Sequence, residues 1–167
     1  YKGAEKALQL AKETKCPIVF AGRDGDMTDR IKNSGLPNVR YLGEVSDIQR
    51  ANLFSWAKAL IFPTGAWGDA DPPDWLEIFG LVQLEALASG CPVIVSNNGA
   101  CPEIIEDGKV GFVCPSYEEL KYIIENNEVE KIHPVDCRKH VEEKFSAQLM
   151  CKSYLYLYNK ILNGEAW

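Results

Sequence analysis

Short runs of β-branched and aromatic residues alternate along this chain with segments of helical spacing, and this alternation restricts the fold more than any other feature. The strand-like runs are CPIVFAG, NVRYLG, KALIFPT, CPVIVS and GFVC. Short runs of this type predict strands, and helices between consecutive strands indicate βαβ units. We therefore predict an α/β fold in which a parallel sheet is covered by helices on both faces.

The helical segments between these strands have recognisable limits. Apolar residues at helical spacing begin at Ala4, Ser46 is the expected N-cap of the helix in SDIQRANLFSWA, and a further helix covers residues 80–89. A helical turn is expected over residues 102–107. Two helices close the chain, the first in YEELKYIIENN and the second, after Pro134, in a long segment through FSAQLMCKSYLYLYNKIL.

Composition indicates one globular domain. Of the 167 residues 46% are hydrophobic and 25% are charged, as expected for a chain with one core. The net charge of -6 and the scattered basic residues argue against a nucleic-acid partner. No apolar run approaches the roughly 18 residues of a membrane span. The helical pattern begins at once, with no initiator Met and no preceding strand, so we expect residues 1–167 to be one domain excised from a longer protein.

The six cysteines show no spacing typical of a metal site or a disulfide framework. They contain no C-x-x-C pair, and only His133 and His140 could help to bind a metal. We predict that the cysteines are small buried hydrophobes in a reducing compartment and that the chain has no metal site. The two histidines and the tyrosines of YLYLY are expected to serve packing or interfaces.

A polar loop over residues 64–75, TGAWGDADPPDW, follows one predicted strand at its carboxyl end. Pro72 and Pro73 exclude a helix interior or a central strand here, and open parallel sheets bind ligands at this edge. The loop is either a surface insertion or a segment whose Trp67 and Trp75 pack over a ligand or a partner domain. Residues 23 and 24, in the turn after another strand, are secondary candidates for the rim of such a site.

Glu85 occupies an unexpected position in the helix over residues 80–89. At about 100° per residue, Glu85 falls in the apolar arc between Leu81 and Val82, whereas Gln83 falls on the other side. A carboxylate in a buried helix needs a hydrogen-bonding partner. That partner is either a structural one, such as a lysine or a backbone amide, or the vicinal hydroxyls of a ligand such as a ribose, which one carboxylate can accept together.

Glu77 and Gly80 stand in the turn that leads into the same helix. Gly80 has no side chain, so a ligand could approach the first backbone N–H groups of the helix, which favour an anion such as phosphate. A phosphate at the helix start, a diol one to two turns further on and a second carboxylate in front together indicate a nucleotide-sugar site. Each element alone is also compatible with a plain structural role.

The stretch LEIFGLVQLEALASGCPVIVSNNGACPEII resembles the signature of retaining GT-B glycosyltransferases of family 4, the glycosyl transferases group 1. YKGAEKAL, IVFAGRDGD, VRYLGEV and FSAQLMCKSYLYLYNKIL are similar to other parts of the same domain, so the resemblance spans most of the chain. It implies a Rossmann-like, doubly wound parallel sheet, the C-terminal half of a GT-B fold, closed by C-terminal helices.

The resemblance also implies roles for individual residues. Glu77 matches the catalytic-site glutamate that contacts the donor sugar near the reacting carbon, and Glu85 matches the glutamate that binds the ribose hydroxyls. The expected donor- and nucleotide-binding residues are Lys2, Gly43, Glu44, Val45, Ile78, Phe79, Gly80, Leu81 and Glu85. Among these, Gly80 and Leu81 would present backbone amides to the diphosphate, Lys2 would neutralise it, and residues 43–45 form the loop on the side of the base.

The implied reaction is transfer of a sugar, such as mannose or glucose, from a UDP- or GDP-sugar to an acceptor hydroxyl with retention. The helix amides and Lys2 would stabilise the leaving diphosphate, so we expect no cofactor and no metal. The partners would be the donor and a missing N-terminal acceptor domain, without which this chain would be inactive. The implied setting is polysaccharide or glycolipid biosynthesis in the cytoplasm, or at the cytoplasmic face of a membrane reached through the missing domain.

Two alternatives remain open at the level of the sequence. A GT-B-fold nucleotide-sugar epimerase would share the donor site, and a non-catalytic Rossmann-like interaction domain would share only the fold. A dehydrogenase is not supported, because GRDGD lacks the third glycine of the dinucleotide-binding pattern and the apolar helix start that follows it.

Overall fold

The computed structural model describes residues 2–65 and 76–165 of the chain as five strands and eight α-helices in alternation. The strands are β1 (Ile18–Phe20), β2 (Val39–Tyr41), β3 (Leu60–Phe62), β4 (Val93–Ser96) and β5 (Gly111–Cys114). The helices are α1 (Ala4–Thr14), α2 (Thr28–Lys32), α3 (Asp47–Trp56), α4 (Leu81–Ala88), α5 (Cys101–Ile104), α6 (Tyr117–Glu125), α7 (Pro134–Lys144) and α8 (Ala147–Leu162). A short 3₁₀-helix covers Glu128–Lys131.

All strand pairs in the described residues are parallel, as the alternation predicted. The strands form two ladders, β1–β2 and β3–β4–β5, whereas the sequence suggested one sheet. Hydrophobic periodicity identifies strands but carries no information about which of them share hydrogen bonds. All four residues of β4 are buried, because this strand lies between two others and has helices on both faces.

Side-chain alternation along β4 divides the core into two clusters. Val93 and Val95 contribute to a cluster with residues of α4, α5 and α7, whereas Ile94 contributes to a cluster with residues of α1 and α6. Successive side chains of a strand point to opposite faces of its sheet. The helices therefore cover both faces, which confirms the predicted doubly wound α/β architecture.

Helix caps set several of the observed boundaries. Ser46 is the N-cap of α3, as predicted: its side chain accepts the N–H of Gln49, and the Gln49 side chain accepts the N–H of Ser46 in a capping box. The long segment predicted after Pro134 is two helices, because Ser146 interrupts it and caps α8 by accepting the N–H of Leu149. The turn predicted over residues 102–107 is the four-residue helix α5.

The last helix lies on the surface of the described chain. No residue of α8 is buried among the described residues, and apolar side chains including Tyr154, Leu155 and Ile161 are exposed along it. In contrast, His140 of α7 is buried with its Nε2 atom 2.8 Å from the carbonyl oxygen of Ile104, which agrees with the packing role predicted for it. Within residues 2–65 and 76–165 no helix is both long enough and apolar enough to cross a bilayer.

Candidate donor-binding site

The candidate site is built where β3 and β4 end, at the carboxyl edge of the larger sheet. The Ser96 hydroxyl donates to the carbonyl oxygen of Thr64 and ties the two strand ends together. The turn after β4 then holds Glu77 from both sides: the Asn98 side-chain oxygen accepts the Glu77 N–H at 2.9 Å, and the Ala100 N–H donates to the Glu77 carbonyl at 2.8 Å. The backbone of Glu77 is therefore fixed by the neighbouring strand-to-helix turn.

Gly99 allows this close approach of the two segments. A Cβ atom at Gly99 would lie 2.1 Å from the carbonyl oxygen of Glu77, and the φ angle of Gly99 is 53°. A side chain at this position would displace the turn or Glu77. Only glycine satisfies both the left-handed backbone and the contact.

The Glu77 side chain forms an ion pair with Lys2, which lies 75 positions earlier in the chain. Glu77 is only 8% exposed whereas Lys2 is 57% exposed, and the ammonium group of Lys2 also lies 5.4 Å from the centre of the Phe62 ring. Gly3, at the start of α1, brings Lys2 here, since a Cβ atom on Gly3 would lie 2.1 Å from the Pro63 carbonyl oxygen. The first helix is thus packed with its N-terminus against the end of β3.

Gly80 is the N-cap of α4 and adopts a left-handed conformation with φ of 78°. A Cβ atom at Gly80 would lie 2.2 Å from the Gln83 side-chain nitrogen and 3.3 Å from the Cγ atom of Glu77. Gly80 therefore permits the Glu77 and Gln83 side chains to lie against the helix start. The first backbone N–H groups of a helix lack intrahelical acceptors, so the N-terminus of α4 can bind an anion beside Glu77.

Glu85 forms a bidentate ion pair with Arg50 of α3. Nη2 of Arg50 is 3.0 Å from Oε1 of Glu85, and Nε of Arg50 is 2.9 Å from Oε2. The prediction that Glu85 lies inside a buried apolar face was wrong: its side chain is 40% exposed, and Leu81 is 65% exposed. The helix packs on α7 and the sheet through Gln83, Ala86 and Leu87 instead, because a helix that is apolar nearly all round does not reveal which side faces the core.

Gln83 is a residue that sequence reasoning missed and even placed on the polar side of α4. It is fully buried, and its amide nitrogen donates to the sulfur of Cys101 at 3.5 Å. Within the part of the chain that the structure describes, its side-chain oxygen has no hydrogen-bond partner. The available signal was a neutral polar residue in a largely apolar helix, and helical spacing placed it on the exposed side instead of the buried one.

The loop over residues 43–45 lies at the carboxyl edge of the smaller sheet. The Gly22 N–H donates to the Gly43 carbonyl at 2.8 Å, and Nε of Arg23 lies 3.3 Å from Oε1 of Glu44. Arg23, Gly43 and Glu44, with Asp24 and Tyr41, line an open groove of about 420 Å³. Val45 leads into α3, and Arg50 of this helix forms the ion pair with Glu85.

Asp24 is held at the rim of this groove by two contacts. The Tyr41 hydroxyl donates to Asp24 Oδ1 at 2.7 Å, and Lys32 lies 3.5 Å from the same oxygen. The hydrogen bond from Tyr41 and the charge of Lys32 lower the pKa of Asp24 from its ordinary value. The Asp24 carboxylate is therefore ionised at neutral pH, and the charges of Asp24 and Glu44 at this rim are balanced by those of Lys32 and Arg23.

The structure brings some predicted site residues together and leaves others at the surface. Lys2, Glu77 and Gly80 form one contiguous group at the start of α4. The Ile78 side chain is 91% exposed, and Phe79 and Leu81 are also exposed, so these residues form an apolar rim beside the group. Trp67 and Trp75 of the polar loop lie outside the described residues.

Cysteine chemistry does not contribute to this site. Four of the six cysteines are buried, as predicted, whereas Cys16 is half-buried and Cys151 is exposed. Burial raises the pKa of the Cys91 and Cys114 thiols to about 12 and that of Cys101 and Cys137 to about 11, which makes these thiols unreactive. The described residues contain no group of three or more His, Cys, Asp or Glu side chains that could hold a metal ion.

The chain has clear relatives among sequences. Residues 1–143 match the family model of glycosyl transferases group 1. The O-antigen chain mannosyltransferase C of Escherichia coli is 26% identical over 176 aligned residues, which cover 99% of this chain and 45% of that protein. An uncharacterized 41.2 kDa protein in the cps region of Klebsiella pneumoniae is 31% identical over 126 residues, 72% of this chain and 32% of that protein. The chain therefore spans less than half the length of these relatives.

Solved structures show the same fold. A glycosyltransferase involved in avilamycin A biosynthesis superimposes with a TM-score of 0.81 and 25% identity, covering 99% of this chain and 49% of that one. The HepE protein of Anabaena, solved in complex with UDP-glucose, gives a TM-score of 0.71 at 20% identity over 96% of this chain and 46% of its own. The C-terminal domain of the group 1 protein LpcC of Francisella tularensis gives 0.63 at 22% identity over 87% of this chain and 80% of its own. Together, the match over most of the residues and the shared fold show that the chain belongs to the glycosyl transferases group 1 and has the α/β fold of the C-terminal domain of GT-B glycosyltransferases.

Proposed function

We propose that this chain is the donor-binding domain of a retaining glycosyltransferase, which transfers mannose or glucose from a nucleotide-diphosphate sugar to an acceptor hydroxyl. The observation that carries the proposal is the Lys2–Glu77 ion pair beside Gly80 at the N-terminus of α4. It joins a cation, a buried carboxylate and free helix amides at the sheet edge where α/β folds bind ligands.

The diphosphate of the donor would lie at the start of α4. The N–H groups of residues 80 and 81 and the helix dipole favour negative charge there, and the Lys2 ammonium has three hydrogens, so it can contact both Glu77 and a phosphate oxygen. Charge that develops on the leaving diphosphate would be stabilised by these fixed groups, with no bound metal or cofactor in the proposed reaction.

Glu77 and Glu85 would have different tasks in this site. Glu77 is buried and held by its own backbone contacts, so it can orient the hydroxyls of the donor sugar and stabilise positive charge at the ring. Glu85 lies at the start of the second turn of α4 and is partly exposed, so it can accept the hydroxyls of the ribose. The loop over residues 43–45 would contact the base, and Ile78, Phe79 and Leu81 would form the apolar border of the donor pocket.

The names of one relative and one structural neighbour support two classes of donor. The Escherichia coli relative is named a mannosyltransferase of the O-antigen chain, and the Anabaena neighbour was solved with UDP-glucose. We therefore propose GDP-mannose or UDP-glucose as donor and a growing polysaccharide or glycolipid as acceptor. The acceptor would bind to an N-terminal domain of the same protein, in the cytoplasm or at the cytoplasmic face of a membrane.

Calorimetric titration of this chain with UDP and GDP tests the donor site. We expect one of the two nucleotides to bind, and Glu85→Gln to weaken that binding about tenfold, because a charge-assisted hydrogen bond to the ribose is replaced by a neutral one. Glu142→Gln is the matched control, since Glu142 also pairs with an arginine, Arg138 Nε at 2.9 Å, but lies on the exposed face of α7. Absence of binding of both nucleotides at millimolar concentration would instead support a non-catalytic interaction domain.

A further inference from the structure

Arg50 and Glu85 form a bidentate ion pair. Two different nitrogens of Arg50 contact the two different oxygens of Glu85, at 3.0 and 2.9 Å. Nη2 of Arg50 also lies 3.1 Å from Oδ1 of Asp47, one turn earlier on the same helix. The guanidinium group is thus fixed from two sides, by a carboxylate of its own helix and by a carboxylate of α4.

This bidentate contact, called the fork below, sets the plane of the Glu85 carboxylate. A single contact leaves a glutamate free to rotate about its last torsion angle, whereas two parallel N–H···O bonds define both the position and the orientation of the group. Arg50 is 35% exposed and Glu85 is 40% exposed, so the pair lies at the border of the site, where a ligand can reach it. The bidentate contact ties α3 to α4 and at the same time orients the Glu85 carboxylate.

The fork also leaves acceptor capacity on Glu85. Each carboxylate oxygen has two lone-pair directions, and Arg50 uses one of them on each oxygen. The outer direction on an oxygen remains free of this contact and can accept one hydroxyl, such as the 2′-hydroxyl of a ribose. Because the orientation is already fixed in the free protein, ligand binding would not have to order this side chain.

We infer that Arg50 is a positioning residue that orients Glu85 for the 2′-hydroxyl of a nucleoside diphosphate, and that it thereby makes the site selective for ribonucleotides over 2′-deoxyribonucleotides. This inference rests on the proposed donor site. It assigns to α3 a specificity role that acts through α4 and not through direct contact with the ligand.

A double-mutant cycle on the 167-residue chain tests this inference. The probes are UDP and GDP, whichever binds more tightly, and the 2′-deoxy form of the same nucleotide. The proteins are the wild type, Arg50→Met, Glu85→Gln and the double variant, and Arg50→Lys serves as a second variant that keeps the charge but loses the fork. Arg138→Met is the matched control, because Arg138 pairs with Glu142 away from the site.

We expect the wild type to prefer the ribonucleotide by roughly tenfold, and each of Arg50→Met, Arg50→Lys and Glu85→Gln to lose most of that preference. The double variant should lose little more than either single one, since both changes remove the same interaction. Arg138→Met should retain the preference.

Two results would overturn the inference while leaving the donor site intact. The first is an equal loss of affinity for both nucleotides in Arg50→Met that adds to the loss in Glu85→Gln, because Arg50 would then contact the ligand itself. The second is an unchanged preference in Arg50→Met and Arg50→Lys. If the wild-type chain binds neither UDP nor GDP, the proposed function fails together with the inference.

Discussion

Gln83 and Glu85 occupy the reverse of the environments that helical spacing predicted. The neutral amide of Gln83 is fully buried between Gly80 and Cys101, whereas the charged Glu85 reaches the surface and pairs with Arg50. This arrangement avoids the large cost of burying a charge without a partner. It also leaves a buried amide oxygen that has no partner among the described residues.

The unpartnered oxygen of Gln83 leads to a stability prediction. Gln83→Leu should leave the free energy of unfolding unchanged or raise it by about 1 kcal/mol, because leucine is similar in size and carries no group that needs a hydrogen bond. Gln83→Ala should lower it by about 2 kcal/mol, because it opens a cavity in the core beside α4. Urea denaturation measures both. An equal loss in the two variants would show that the amide itself is required.

Among elements, α3 is the best-defined by local sequence. The N-cap at Ser46 was predicted and is confirmed, and the structure adds Gln49, which completes a capping box. The helix then carries Arg50 to the border of the candidate site. The cap therefore links a local sequence signal to the position of a side chain that contacts α4.

Ser46→Ala tests this element. We expect the free energy of unfolding to fall by about 1 kcal/mol, since the N–H of Gln49 at the helix start loses its side-chain acceptor. Ser55→Ala is the matched control within the same helix: Ser55 is exposed, its hydroxyl donates only to the Asn52 carbonyl, and its loss should change stability by less than about 0.5 kcal/mol. Similar effects of the two substitutions in thermal denaturation would contradict a specific role for the cap.

At the scale of the whole molecule, Glu106 connects the segment between α5 and β5 with the C-terminal helices. It lies 3.0 Å from Lys109 and 3.0 Å from Lys144 of α7. Hydrogen bonds from Lys109 and Lys144 lower the pKa of Glu106 from 4.5 to about 2. A carboxyl group whose pKa is lower in the folded state stabilises that state above its ordinary pKa, and this contribution is lost as the pH falls toward 2.

Glu106→Gln should therefore lower the melting temperature at neutral pH, and its difference from wild type should shrink as the pH falls from about 5 toward 2. Scanning calorimetry of both proteins over this range measures the difference directly. Glu142→Gln, which removes an exposed carboxylate within α7, serves as the control. A constant difference between wild type and Glu106→Gln at all pH values would show that the lysine contacts do not stabilise the fold.

The proposal that this chain is a donor-binding domain also predicts the activity of the chain by itself. We expect it to bind a donor nucleotide but to transfer no measurable sugar to simple acceptors, because the proposed acceptor site belongs to another domain. Radiolabelled donor and a chromatographic product assay measure transfer. Turnover by this chain would contradict the division of the site between two domains, and isomerisation of the donor sugar by the full-length protein would favour the epimerase alternative.

The sequence by itself determined the order of strands and helices, the parallel α/β class and the family. These follow from periodicity, turn residues and an ordered motif, all of which are local in the chain. It also indicated Glu77 and Gly80 as neighbours, because only two residues separate them.

Only the tertiary structure decided which faces of the elements meet. Lys2 and Glu77 pair across 75 positions, and Arg50 and Glu85 pair across 35, so no local pattern could reveal either contact. The buried face of α4 was likewise undetermined, because nearly every side of that helix is apolar and burial depends on where α7 and the sheet lie. The residue types of the candidate site and their spacing can therefore be identified from the sequence. The contacts between those residues depend on long-range packing.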